Sequence, residues 1–127
     1  MLTDNKATSG FAVNDLNKAR EFYEGTLGLR VEVLDEENGV TILKLGGGDQ
    51  VLMYLSADMR PASYTILNFE VEDIDQAVDG LSERGVEFER YDDFPQDAKG
   101  VVRGAPGPNI AWFKDPSGNV LSVLQQP

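Results

Sequence analysis

The chain has 127 residues, which suits one compact domain and leaves little room for two. Its 22 acidic and 11 basic residues give a net charge of −11, an excess that repels polyanions such as nucleic acids and favours either cationic ligands or simple solubility. Cys and His are both absent, which removes disulfides, thiol nucleophiles, Cys-ligated zinc, His-dependent triads and two-His-one-carboxylate iron centres.

In chain order, Met1 to Lys6 contains no apolar signal core, and no run of 18 apolar residues follows anywhere. A cytoplasmic protein with no membrane contact is therefore expected. An alternating strand from Phe11 leads to Asp15, placed to cap a helix whose apolar face is Leu16, Ala19 and Tyr23. Gly28 closes that helix as a left-handed cap. Three strands are predicted next, Leu29 to Leu34, Val40 to Leu45 and Gln50 to Leu55, joined by turns at Asn38-Gly39 and Gly46 to Asp49. Residues 56–63, with Pro61, read as a linker.

The same plan then returns. Phe11, Asp15 and Ala19 recur as Phe69, Asp73 and Ala77, a constant offset of 58 residues. Thr65 to Val71 is a predicted strand. Asp73 caps a helix to Arg84 carrying Ile74, Ala77, Val78 and Leu81 on one face, and Gly85 ends it. Glu87 to Tyr91 is a predicted strand. Asp92 to Pro108 is a loop rich in Pro and Gly, with a short strand at Val101-Val102, and a loop this long is often functional. Asn109 to Lys114 and Val120 to Leu124 form a final hairpin around Asp115-Pro116-Ser117-Gly118-Asn119. The capping Asp residues are structural, not catalytic.

Val13 to Leu16, Ala19, Phe22-Tyr23, Leu27 to Leu29, Phe69 to Asp73, Gly85 to Phe88 and Phe113 to Asn119 together resemble the vicinal-oxygen-chelate superfamily, whose members are glyoxalase/bleomycin resistance protein/dioxygenase-like domains. The resemblance covers nearly the whole chain, and the Asp-Pro-x-Gly-Asn hairpin is its most specific part. It implies an α+β fold in a single domain, 1–127. Two βαβββ units, about 7–55 and 64–125, would form a curved half-barrel mixed sheet with helices outside. Metal-dependent relatives carry ligands seven residues before each capping Asp and seven after the hairpin Asp, positions that here hold Thr8, Ile66 and Ser122. The fourth falls near Met53. None is a strong ligand for zinc, nickel, iron or manganese, so neither a metal nor another cofactor is expected. Metal-dependent glyoxalase, ring-cleaving dioxygenase and fosfomycin-opening activities are not expected either.

Strand parity places Thr8, Gly10, Met53, Leu55, Ile66, Asn68, Ser122 and Trp112 on the face of the lost ligands. Trp112, the only Trp, either stacks on a ligand or fills the core. Tyr91, Asp92, Asp93 and Phe94 either receive a planar cation or make a solvated turn. The ligand-binding candidates are thus Trp112, Thr8, Met53, Ile66, Asn68, Ser122 and Tyr91, with no catalytic residue named. The leading reading is a metal-free homodimer that binds a small hydrophobic or cationic molecule, in the manner of antibiotic sequestration by bleomycin-resistance proteins. Two alternatives stay open. One is a metal-independent isomerase or lyase whose base is a carboxylate such as Glu70, or a perturbed Lys or Tyr; the other is a non-binding structural module.

Overall fold

A computed structural model describes residues 1–104 and 106–127, so the Ala105 position of the predicted 92–108 loop lies outside the described residues. The chain divides between Arg60 and Pro61 into two compact units, within the 56–63 stretch. Among the described residues no helix is long and apolar enough to cross a membrane.

The first unit runs through β1 (Gly10–Val13), α1 (Leu16–Arg20), a π-helical turn (Glu21–Thr26), β2 (Arg30–Asp35), β3 (Val40–Lys44), a 3-10 turn (Gly46–Gly48) and β4 (Gln50–Leu55). Asp15 caps α1 by accepting from the Lys18 N–H at 3.0 Å. The predicted helix widens after one turn, where the Leu27 N–H reaches back to the Phe22 carbonyl, five residues away. The strands lie in the order β1-β4-β3-β2, with β1 and β4 parallel and the other pairs antiparallel. Phe11, Met53 and Thr41 stand in one row across this sheet. That row faces the helical segment, because the Phe11 ring meets the buried Tyr23 ring at 5.7 Å. The β2–β3 turn depends on Gly39, whose φ of 68° is left-handed and whose missing Cβ would lie 2.7 Å from Leu55 Cβ.

The second unit contains β5 (Thr65–Glu70), α2 (Ile74–Glu83), β6 (Asn109–Lys114) and β7 (Val120–Gln125), ordered β5-β7-β6. Asp73 caps α2 through the Gln76 N–H at 3.1 Å. α2 packs on β7 and β6 with Ile74 and Val78 buried. Ala111, Phe113, Leu121 and Val123, all on one face of the sheet, are buried as well. The β6–β7 hairpin is held by the buried Asp115 carboxylate, which accepts from the Ser117 and Asn119 N–H groups at 2.9 Å each and from Asn119 Nδ2 at 2.9 Å. The most family-specific motif is therefore a turn device.

One predicted strand does not form. Residues 87–91 make only an isolated bridge, Phe88 to Phe113, plus a bond from the Glu89 N–H to the Trp112 carbonyl at 2.8 Å. The cause lies outside the segment. The Gln96 side chain takes the groups that a further strand would pair. Its Nε2 donates to the Glu89 carbonyl at 2.8 Å and the Gly100 carbonyl at 2.7 Å, and its Oε1 accepts from the Tyr91 N–H at 2.6 Å. Val101-Val102 likewise yields bridges rather than a strand, from Val102 to Gln96 and to Ile110.

Candidate functional site

The predicted site residues fall into two groups. In the first unit, Thr8 precedes β1 and is exposed. Met53 is fully buried opposite Phe11 and Thr41, and its carbonyl accepts from Thr41 Oγ1 at 2.6 Å. This corrects the parity assignment. Gly10 pairs with Leu52, so the β4 residues sharing its face are Leu52 and Tyr54, while Met53 and Leu55 take the opposite face. A slip of one residue exchanges the two faces of a strand, and here it turns a predicted groove residue into core.

In the second unit the parity holds across the sheet. Trp112 pairs with Ser122, and Ser122 with Asn68, so the three form one row from β6 through β7 to β5. Ser122 is fully buried and donates from Oγ to Asn68 Oδ1 at 2.6 Å. Ile66 lies where the β5–β7 register shifts, between Thr65 and Leu67. The next row on the Trp112 face is Ile110, Leu124 and Glu70. Glu70 is exposed and accepts from Gln126 at 3.0 Å.

Trp112 is the centre of an aromatic cluster. The Phe94 ring lies over it, centroids 5.1 Å apart and planes inclined by 31°. Tyr91 meets the indole nearly at right angles, at 5.4 Å and 77°. Tyr91 and Phe94 also touch, at 6.3 Å and 78°. Aromatic rings prefer such tilted and edge-on contacts. Acidic groups border the cluster. Asp92 and Asp93 are exposed on the same turn, and Glu89 pairs with Lys114 at 3.3 Å. Burial, reinforced by the Glu89 carboxylate, raises the Tyr91 phenol above its ordinary pKa, so the ring stays neutral. Sequence reading grouped Tyr91 with Phe94 and placed Trp112 apart, in the final hairpin. Their convergence depends on the Gln96 amide, which offers no local signal of its role.

The loop that follows is tied to α2 by ions. Arg103 forks onto Asp75, with Nη2–Oδ1 at 2.8 Å and Nη1–Oδ2 at 3.2 Å, and also reaches Asp97 at 3.0 Å. Lys99 bonds Asp79 at 2.9 Å. Arg103, helped by Lys99, holds the Asp75 carboxyl below the usual range. For Asp97, burial acts upward but is outweighed by the Val101 N–H and Arg103. A cavity of about 270 Å³ opens near the chain end, lined by Gly104, Asn109 and Gln125 among others, and none of the predicted site residues lines it.

The residues at the metal positions of the superfamily do not fit an ion. Met53 presents its thioether to the core, Ile66 has no donor, and the Ser122 hydroxyl is committed to Asn68. Among the described residues no group of three His, Cys, Asp or Glu is gathered to hold one.

Comparison with known proteins agrees with this architecture. The sequence model of the Glyoxalase/Bleomycin resistance protein/Dioxygenase superfamily matches residues 7–123. The uncharacterized protein YraH of Bacillus subtilis (strain 168) is 30% identical over 125 residues, covering 89% of this chain and 91% of YraH. Among solved structures, a superfamily member from Sphaerobacter thermophilus DSM 20745 superposes with a TM-score of 0.71 at 26% identity, over 95% of this chain and 98% of that one. TnmS3, an antibiotic binding protein from Streptomyces sp. CB03234, shares the fold with a TM-score of 0.71 at 24% identity, over 98% of this chain and 99% of its own.

Proposed function

The chain belongs to the glyoxalase/bleomycin resistance protein/dioxygenase superfamily, and from that premise we propose that it binds a small hydrophobic or cationic molecule, without a metal and without chemistry, at Trp112. The carrying observation is the cluster of Tyr91, Phe94 and Trp112 beside the polar Ser122–Asn68 pair, with acidic residues around it. An aromatic face attracts cations through its quadrupole, and the net charge of −11 raises their local concentration. A few polar groups beside an apolar surface is the usual make-up of a small-molecule site. Antibiotic sequestration is the form of this reading that TnmS3 makes most concrete, since that protein shares the fold and is named as an antibiotic binder.

The metal-independent enzyme reading has less support. Its candidate base, Glu70, is exposed and hydrogen-bonded to Gln126, whereas a general base works best where burial and neighbours bring its pKa near the operating pH. Cytoplasmic location, a single 1–127 domain and a homodimer belong to the proposal as the resemblance implies them; sedimentation equilibrium checks the last.

The test is a titration with basic aromatic antibiotics, following Trp112 fluorescence with and without divalent metals. A saturable change that is independent of metal, and weakened at least about ten-fold in Trp112→Leu, is the expected result. A response that requires metal, or one unaltered in Trp112→Leu as followed by calorimetry, overturns the reading.

A further inference from the structure

The Phe94 ring raises a question that the cluster geometry answers. Phe94 is a large apolar side chain, yet 47% of it is exposed. It sits at the tip of a short turn in which its own N–H bonds the Tyr91 carbonyl at 3.1 Å and its carbonyl accepts from the Gln96 N–H at 3.0 Å. The base of that turn is fixed. Tyr91 and Gln96 are joined through the Gln96 amide, and Arg90 donates to the Asp97 carbonyl at 2.6 Å and to the Ala98 carbonyl. The ring stacks on Trp112 and Tyr91 and is otherwise half open to solvent. A rigid base with a lightly held, half-exposed tip describes a side chain that exchanges rotamers without unfolding its loop.

We infer that Phe94 is a movable cover on Trp112, occupying in the free protein the indole face on which a planar or cationic ligand stacks, so that ligand and Phe94 compete for one surface. The competition rests on the ligand site proposed above; the cover itself does not. A single aromatic stack is weak enough to be displaced and strong enough to matter, so removing it tightens ligand binding by up to about five-fold. Phe94 would then act on specificity: molecules that stack on indole better than a phenyl ring displace it, and the rest leave the cover in place.

The experiment compares the intact protein with Phe94→Ala and Phe94→Leu, the latter keeping the test open should the smaller side chain disturb the turn. The first readout needs no ligand: collisional quenching of Trp112 by acrylamide. The expected result is stronger quenching in both variants, most in Phe94→Ala. Unchanged quenching overturns the cover. The second readout is calorimetric binding of N-methylquinolinium, a planar aromatic cation. Tighter binding to the variants supports competition, and binding weakened several-fold makes Phe94 a wall of the site and overturns it. Raised quenching with no probe bound by any of the proteins leaves the cover standing and counts against the ligand reading instead.

Discussion

The two units share one plan and differ most in the segment after the helix. In the first, the segment after the helix is a complete strand, β2, paired with β3 through the tight Asn38-Gly39 turn. In the second, the corresponding segment reaches β6 only at Phe88 and Glu89, and the chain then leaves on a long loop. The difference shows where a duplicated unit has room to change. A regular strand commits every backbone group to its neighbour and alternates its side chains between faces. Where the Gln96 amide serves the backbone instead, Tyr91 and Phe94 gather on one aromatic partner.

The comparison breaks most visibly at Gln96. Gln96→Leu leaves the Glu89 and Gly100 carbonyls and the Tyr91 N–H without their partner, and destabilisation by about 2–3 kcal/mol is expected in urea unfolding, with loss of ligand response at Trp112. In the first unit's sheet the buried Thr41 hydroxyl makes a single bond to backbone, to the Met53 carbonyl, and the sensitive point is the turn. Gly39→Ala meets a left-handed φ and a close Leu55 Cβ, and is expected to cost about 2 kcal/mol by the same measurement.

Where the units are alike, their responses should be alike. Asp15→Ala and Asp73→Ala each remove one helix cap and are expected to cost about 1 kcal/mol, equal within error in thermal melts, although the capped helices differ in length. The smallest effect is expected from the ionic tie between the loop and α2, whose members are exposed and screened by salt. Asp75 and Asp97 are held below the ordinary carboxylate value of 3.8, so their contribution is complete above that pH and is lost as pH falls through their folded values. Lys99 is raised above 10.5 by Asp79, so its contribution is present below that pH and lost above it. A stability profile steeper at low salt than at high salt on the acid side checks this, and a profile indifferent to salt would show the tie to be idle.

Local signals in the sequence carried most of the fold. The capping Asp residues and the β2–β3 and β6–β7 turns act within a few residues of themselves, and the helices and hairpins they bound are present. The π-helical turn was not legible, because residues 21–26 carry no feature that distinguishes five-residue from four-residue hydrogen bonding. The failure at 87–91 has a different origin: its pattern does suit a strand, and the competitor is a side chain five residues beyond. For the site, parity counted from the Asp115 hairpin put Trp112 and Ser122 on one face, because that hairpin fixes its own register, and Asn68, counted from Asp73, stands in the same row. Met53 had no such anchor, being placed only near the fourth ligand position, and it stands on the face opposite Gly10.

The outer side of β6 has a further consequence. Phe88 and Val102 bridge it at opposite ends, and Gln96 staples together the two chain pieces that carry them. A strand left bare there would offer a row of unpaired N–H and carbonyl groups to any neighbouring chain, the starting point of edge-to-edge aggregation. β2, which closes the sheet of the first unit, discourages such pairing with Arg30, Glu32 and Asp35 along its length. The second unit covers its β6 edge with a loop, so the segment that shapes its aromatic surface also takes up backbone groups of that edge.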